Sequence, residues 1–122
     1  MSGFTISARL KSFIFAFAGI GFMLRTQHNA WLHGIASLIV VAVGFSLHIS
    51  FADWRWLIVA MAMVWVAETF NTAVEYLCDV VSPGHSMAVK HAKDIAAGAV
   101  LICAFSAVFI GAFTLLPYIH QH

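Results

Sequence analysis

Charge is what this sequence has least of. Of its 122 residues, 9% are Asp, Glu, Lys or Arg and 62% are hydrophobic, with a mean hydropathy of +0.94. A water-soluble domain draws about a quarter of its residues from the charged set, so a separate soluble catalytic domain is excluded and a membrane protein is expected. Six Lys and Arg against five Asp and Glu leave a net charge of +1. That is too little to hold a nucleic-acid backbone, and no nucleic-acid partner is expected. Cysteine is sparse as well. Cys78 and Cys103 lie inside apolar stretches, which excludes a dense disulfide framework and reads as two small buried hydrophobes. No internal repeat, low-complexity stretch or cleavable signal is found. The length accommodates roughly three spans of ~20 residues, so 1–122 reads as a single integral-membrane domain.

The hydropathy pattern divides that domain. The apolar stretch from Phe13 to Leu24 lies between Lys11 and Arg25 and is too short to cross a bilayer. It predicts an interfacial amphipathic helix over 5–25. Spans are predicted at 31–49, 54–81 and 92–118. The first is interrupted by His33, Ser37, Ser46 and His48, and the second opens on the interface-seeking rings of Trp54 and Trp56. Ser82, Pro83 and Gly84 end the second span, a polar loop continues through His91, and Pro117 closes the third. Arg9, Lys11, Arg25, Lys90 and Lys93 fall on one side of these spans and Arg55 alone on the other. The excess of basic residues places the amino terminus and the 82–91 loop in the cytoplasm.

The second span also carries acids. At about 100° per residue, Asn71, Glu75 and Asp79 fall within roughly 60° of Glu68 and climb about 16 Å along one helix face. An ionisable group at membrane depth costs at least ~2.5 kcal/mol, so this stripe requires a partner, a metal ion or a wet cavity. An interhelical polar clamp is the plain structural reading. Three acids on one stripe repel one another, however, unless a cation intervenes. Lys93 and Asp94 follow at the start of the third span, on the same side as Arg9, Lys11 and Arg25. Carboxylates that hold Mg²⁺, a carboxylate base and cations for phosphate charge are the parts of phosphoryl transfer from a nucleotide. A small ion channel lined by Glu68 and Glu75 is the alternative. The small residues Ala92, Ala96, Ala97, Gly98 and Ala99 read as a close helix approach, with a ligand cleft beside Gly98 as the second possibility. The histidines show no zinc spacing with a third ligand; His28, His33, His85 and His91 are expected in interfacial polar roles, and His120 and His122 in a solvated tail.

The pattern E-x-x-N-x-x-x-E-x-x-x-D over 68–79, followed by A-K-D-x-A-A-G-A-V over 92–100, resembles the signature of the prokaryotic diacylglycerol kinase and undecaprenol kinase family. Lys11, Ser12, Phe13, Gly19, Ile20, Arg25 and Thr26 also match its amino-terminal region. The resemblance implies an all-α homotrimer in the bacterial inner membrane. Each subunit would have a surface helix and three spans, with cytoplasmic active sites shared between neighbours. It implies an ATP- and Mg²⁺-dependent kinase that phosphorylates the hydroxyl of a membrane lipid, with no Walker-type glycine loop. By the same resemblance, Glu68 is the catalytic base and Asn71 an active-site polar residue. Glu75 is a Mg²⁺ ligand, and Arg9, Asp79, Lys93 and Asp94 lie near ATP. Two departures stand out. Gln27 occupies the position where relatives have a second metal-binding Glu, so it is carried as the second metal position. Gly84, His85 and Ser86 replace a Glu-Tyr-His-like stretch at the nucleotide loop. The segment from Arg25 to Asn29 and the Ser82–Pro83 turn resemble the undecaprenol kinase branch, which favours undecaprenol over diacylglycerol as acceptor.

Overall fold

The computed structural model describes residues 3–84 and 86–121, and among them all regular structure is helical. Four helices follow in order: α1 (Ile6–Thr26), α2 (His28–Ser46), α3 (Phe51–Val81) and α4 (Met87–His120). By length and composition, all four could cross a membrane. Their exteriors are those of a membrane protein, with Phe13 64%, Phe105 59% and Phe113 77% exposed. Side chains of this kind belong against lipid or another apolar surface.

Local chemistry sets the helix ends. Thr5 Oγ1 accepts from Ala8 N–H to start α1, and Ser50 Oγ accepts from Asp53 N–H to start α3. The end of α2 is a Schellman turn: His48 N–H donates to Phe45 O, Ile49 N–H donates to Gly44 O, and His48 takes a left-handed φ of 52°. Burial of Ile49 beneath this turn offsets the cost of a non-glycine residue there. One extended residue, Gln27, separates α1 from α2.

Several expected boundaries move. The first span begins and ends earlier than 31–49, because the Schellman turn stops α2 at Ser46. Asp53, expected in the break, lies in the first turn of α3, where a carboxylate is favoured by the helix dipole. The polar loop expected through His91 is confined to 82–86, because Ser86 caps α4 and His91 is already helical. His85 and His122 lie outside the described residues. Pro117 lies within α4 rather than closing it. So near the carboxyl end, the missing amide costs one hydrogen bond and little else is disturbed.

The α3–α4 hairpin is longer than the bilayer core. With 31 and 34 residues, the two helices reach about 46 and 51 Å, against a core of about 30 Å. Measured from the Trp56 ring level, Glu68 lies about 18 Å along the axis and Glu75 about 28 Å. Glu68 is therefore within the hydrocarbon, Glu75 is near the opposite interface, and Asp79 is beyond it. Gly44 is the most tightly covered of the glycines described: a Cβ there would come 2.7 Å from the Trp54 ring. At Gly98 a Cβ would meet nothing within 4 Å, so close approach within one chain does not explain that glycine.

Candidate active site

The inward face of α3 changes character halfway along. Leu57, Ala60 and Val64 are buried, and at the same three- and four-residue spacing the stripe continues through Glu68, Asn71, Thr72 and Cys78. One helix face thus runs from a dry core into a polar site. Glu68 is 0% exposed, and neither of its carboxylate oxygens completes a hydrogen bond with the described residues. His33 Nε2 of α2 stands 3.4 Å from Glu68 Oε2, an ion-pair distance without hydrogen-bond alignment. Asn71 Nδ2 donates a long hydrogen bond, 3.5 Å, to Glu75 Oε1, while Asn71 Oδ1 is buried without a partner.

A cleft of about 270 Å³ opens beside these groups, lined by Asn29 and His33 of α2, Glu68 and Asn71 of α3, and Ala97 and Ala104 of α4. The small Ala97 leaves room for it, consistent with a ligand cleft in this stretch of α4. A second cleft, about 480 Å³ and almost wholly apolar, shares His33 and Ala104 with the first and continues along α4 to Ile119. Buried polar groups without partners cost on the order of 1–3 kcal/mol each. Their convergence on a cleft marks a place where an incoming ligand can satisfy them.

The remaining sequence candidates are distributed differently. Glu75 is half-buried, one turn above Asn71. Lys93 Nζ lies 2.8 Å from Asp79 Oδ1 and ties α4 to α3 at the headgroup level. Asp94 does not join the carboxylates of α3; it pairs with Lys90 at 2.7 Å on the exposed side of α4. Gln27, half-buried between α1 and α2, makes no side-chain capping bond. Arg9 is exposed, with its guanidinium 6.0 Å from the Phe4 ring. It lies about 27 Å along the α1 direction from Gln27, so a single chain does not gather it with the others. Among the described residues, no three of His, Cys, Asp and Glu form a metal cluster. Mg²⁺ does not require one, since it commonly keeps several waters and one or two carboxylates. The oxygen donors here, the Glu75 carboxylate and the unpartnered Asn71 Oδ1, have the hard chemistry that ion prefers.

His33 is the residue that sequence reasoning missed. It was expected in an interfacial polar role, yet it faces the most buried carboxylate in the molecule. Its only sequence signal was its position as a polar interruption of the first span, and spacing gave no link to a residue 35 positions away.

Comparison with known proteins shows the family. The sequence pattern of the prokaryotic diacylglycerol kinase family matches residues 14–115. The chain is 35% identical over 107 residues to the undecaprenol kinase of Bacillus subtilis (strain 168), covering 88% of this chain and 87% of that protein. It is 36% identical over 109 residues to the diacylglycerol kinase of Synechocystis sp., covering 88% of this chain and 62% of that longer protein. A match across most of the chain, together with helices that gather a buried carboxylate and its polar neighbours beside a cleft, makes this protein a member of the prokaryotic diacylglycerol kinase family of lipid kinases.

Proposed function

We propose that the chain transfers the γ-phosphoryl group of ATP to the hydroxyl of a membrane lipid, with Glu68 as the base. The observation that carries this reading is the burial of Glu68 on a cleft at membrane depth, with neither oxygen hydrogen-bonded among the described residues. A lipid hydroxyl entering the cleft donates its proton to Glu68. The hydroxyl oxygen forms a bond to the γ-phosphorus as the bond to the β,γ-bridging oxygen breaks, and ADP leaves with that electron pair. Asn71 orients the incoming groups. Lys93 and Asp79, farther toward the aqueous side, lie where ATP arrives, whereas Asp94, next in sequence to Lys93, reaches that site only by leaving Lys90. Mg²⁺ would be held through Glu75, with Asn71 Oδ1 and Gln27 as neutral oxygens, and it supplies charge neutralisation on the phosphates. The apolar cleft that meets the Glu68 cleft at His33 and Ala104 offers a path for the acceptor's hydrocarbon tail.

The preferred acceptor in this reading is undecaprenol rather than diacylglycerol, supported by the sequence of the Arg25 to Asn29 segment and by the similarity to the Bacillus enzyme. We assign 1–122 to one membrane unit and α1 to the interface. Between Lys11 and Arg25 its charge-free stretch is only about 20 Å long, short of the bilayer core. The excess of basic residues favours a cytoplasmic site in the bacterial inner membrane. A homotrimer accounts for the exposed apolar flanks and for the remoteness of Arg9, which would then serve a neighbouring subunit's site. Purified protein in vesicles containing either undecaprenol or diacylglycerol, assayed for ATP-dependent lipid phosphorylation and for ion flux, tests the reading. Phosphorylation without flux is expected, faster with undecaprenol. Flux without phosphorylation would establish a channel instead.

A further inference from the structure

We propose that His33 is a positioning residue for Glu68, reaching from α2 to fix the carboxylate that the kinase reading makes the base, and the proposal rests on that reading. Among the described residues, His33 Nε2 is the one basic nitrogen within 4.0 Å of either Glu68 oxygen. Glu68 is fully buried and neither oxygen completes a hydrogen bond with the described residues, so beyond packing His33 is the one basic group seen to orient its carboxylate. The imidazole is itself held. Trp65 sets its ring edge-on to His33, with centroids 6.1 Å apart and planes at 70°. The same indole donates from Nε1 to Ser37 Oγ at 3.1 Å, and Ser37 Oγ donates in turn to His33 O at 2.7 Å. Trp65 thus packs against the imidazole, and Ser37 links that indole to the His33 backbone.

The placement is suited to catalysis rather than to packing alone. His33 lines both the polar cleft beside Glu68 and the apolar cleft that meets it, so the ring stands where a lipid hydroxyl would pass from tail path to base. Once the Nε2 proton aligns with Oε2, Oε1 is left to receive the hydroxyl proton. The 3.4 Å separation is of the loose kind that tightens when a ligand excludes water. A histidine that merely fills space between α2 and α3 would be indifferent to whether residue 68 carries a charge.

That difference defines the experiment, done on the full chain. His33→Ala, His33→Gln, Glu68→Gln and the double variant His33→Ala/Glu68→Gln are compared by thermal unfolding in detergent, and the first two by kinase kinetics in vesicles containing undecaprenol or diacylglycerol. His33→Ala is expected to lower the melting temperature when Glu68 is present and to change it little in the Glu68→Gln background. It should reduce kcat about tenfold or more, with KM for ATP within about twofold of wild type, and His33→Gln, which keeps an N–H donor, should recover most of the loss. Additive melting shifts, an unchanged kcat, or His33→Gln no better than His33→Ala would each overturn the proposal. Wild-type protein inactive on both lipids would overturn the kinase reading and this role with it, an outcome read without any variant.

Discussion

α3 sets two carboxylates beside other helices, Asp53 in its first turn and Glu68 just past its middle. Near the amino end, Asp53 is satisfied: Ser50 Oγ donates to its Oδ2 at 3.1 Å, and Tyr118 of α4 donates to the same oxygen while accepting Ser50 N–H at 3.1 Å. Just past the middle, Glu68 is more deeply buried, and neither of its oxygens completes a hydrogen bond with the described residues. A carboxylate whose needs are met within the chain stabilises the fold and offers little to a ligand. One that is buried without partners costs stability, and such a cost persists where function requires it. The molecule therefore has a structural clamp at the amino end of α3 and the proposed site past its middle, built from the same residue chemistry.

Substitutions can break the contrast. Glu68→Gln should lower turnover by ~10² or more, because the amide keeps size but cannot take the proton, while the melting temperature holds or rises as a buried charge with no completed hydrogen bond is removed. Turnover per folded protein and thermal unfolding measure both; a near-normal rate would place the chemistry elsewhere. Next in size, Glu75→Gln should raise the Mg²⁺ concentration for half-maximal rate several-fold, since a hard cation loses an anionic oxygen. An unchanged Mg²⁺ titration would remove Glu75 from the metal site.

The clamp should respond in the opposite sense. Tyr118→Phe deletes both hydrogen bonds of the hydroxyl and should cost about 1–2 kcal/mol of stability, seen as a melting temperature lower by several degrees, with kcat within about twofold of wild type. A large kcat loss without destabilisation would show that the clamp end communicates with the site. The smallest effect is expected from Gln27→Glu, which adds a charge at the junction of α1 and α2 and should lower the Mg²⁺ requirement by about two- to threefold. The gain should change when Asp79 is replaced by Asn, because that substitution also releases Lys93 from its 2.8 Å contact. No change in the Mg²⁺ titration of Gln27→Glu would show that position 27 does not serve the metal.

Much of this was legible in the chain. The membrane environment followed from composition, and the helix over 54–81 from its apolar run and the Ser82–Pro83–Gly84 stop, which α3 respects at Val81. The shared face of Glu68, Asn71 and Glu75 followed from helical periodicity, because residues three and four apart are neighbours whatever else the chain does. Less legible were the start of α4 at Met87, which depends on a single Ser86 cap, and the end of α2, where His48 adopts a backbone angle usually left to glycine. Asp94 shows the limit of motif reading within one chain: its place beside Lys93 associates it with the site, but the helix turns its carboxylate toward Lys90.

The sequence by itself determined which solvent surrounds these helices and which residues of α3 share a face, since each depends on neighbours within a few positions. Tertiary structure alone decided that His33 stands opposite Glu68, that Tyr118 closes on Asp53, and that Asp79 pairs with Lys93. Those meetings depend on the rotation and height of one helix against another. Such relations are set by the packing of whole helix faces, and no local spacing encodes them.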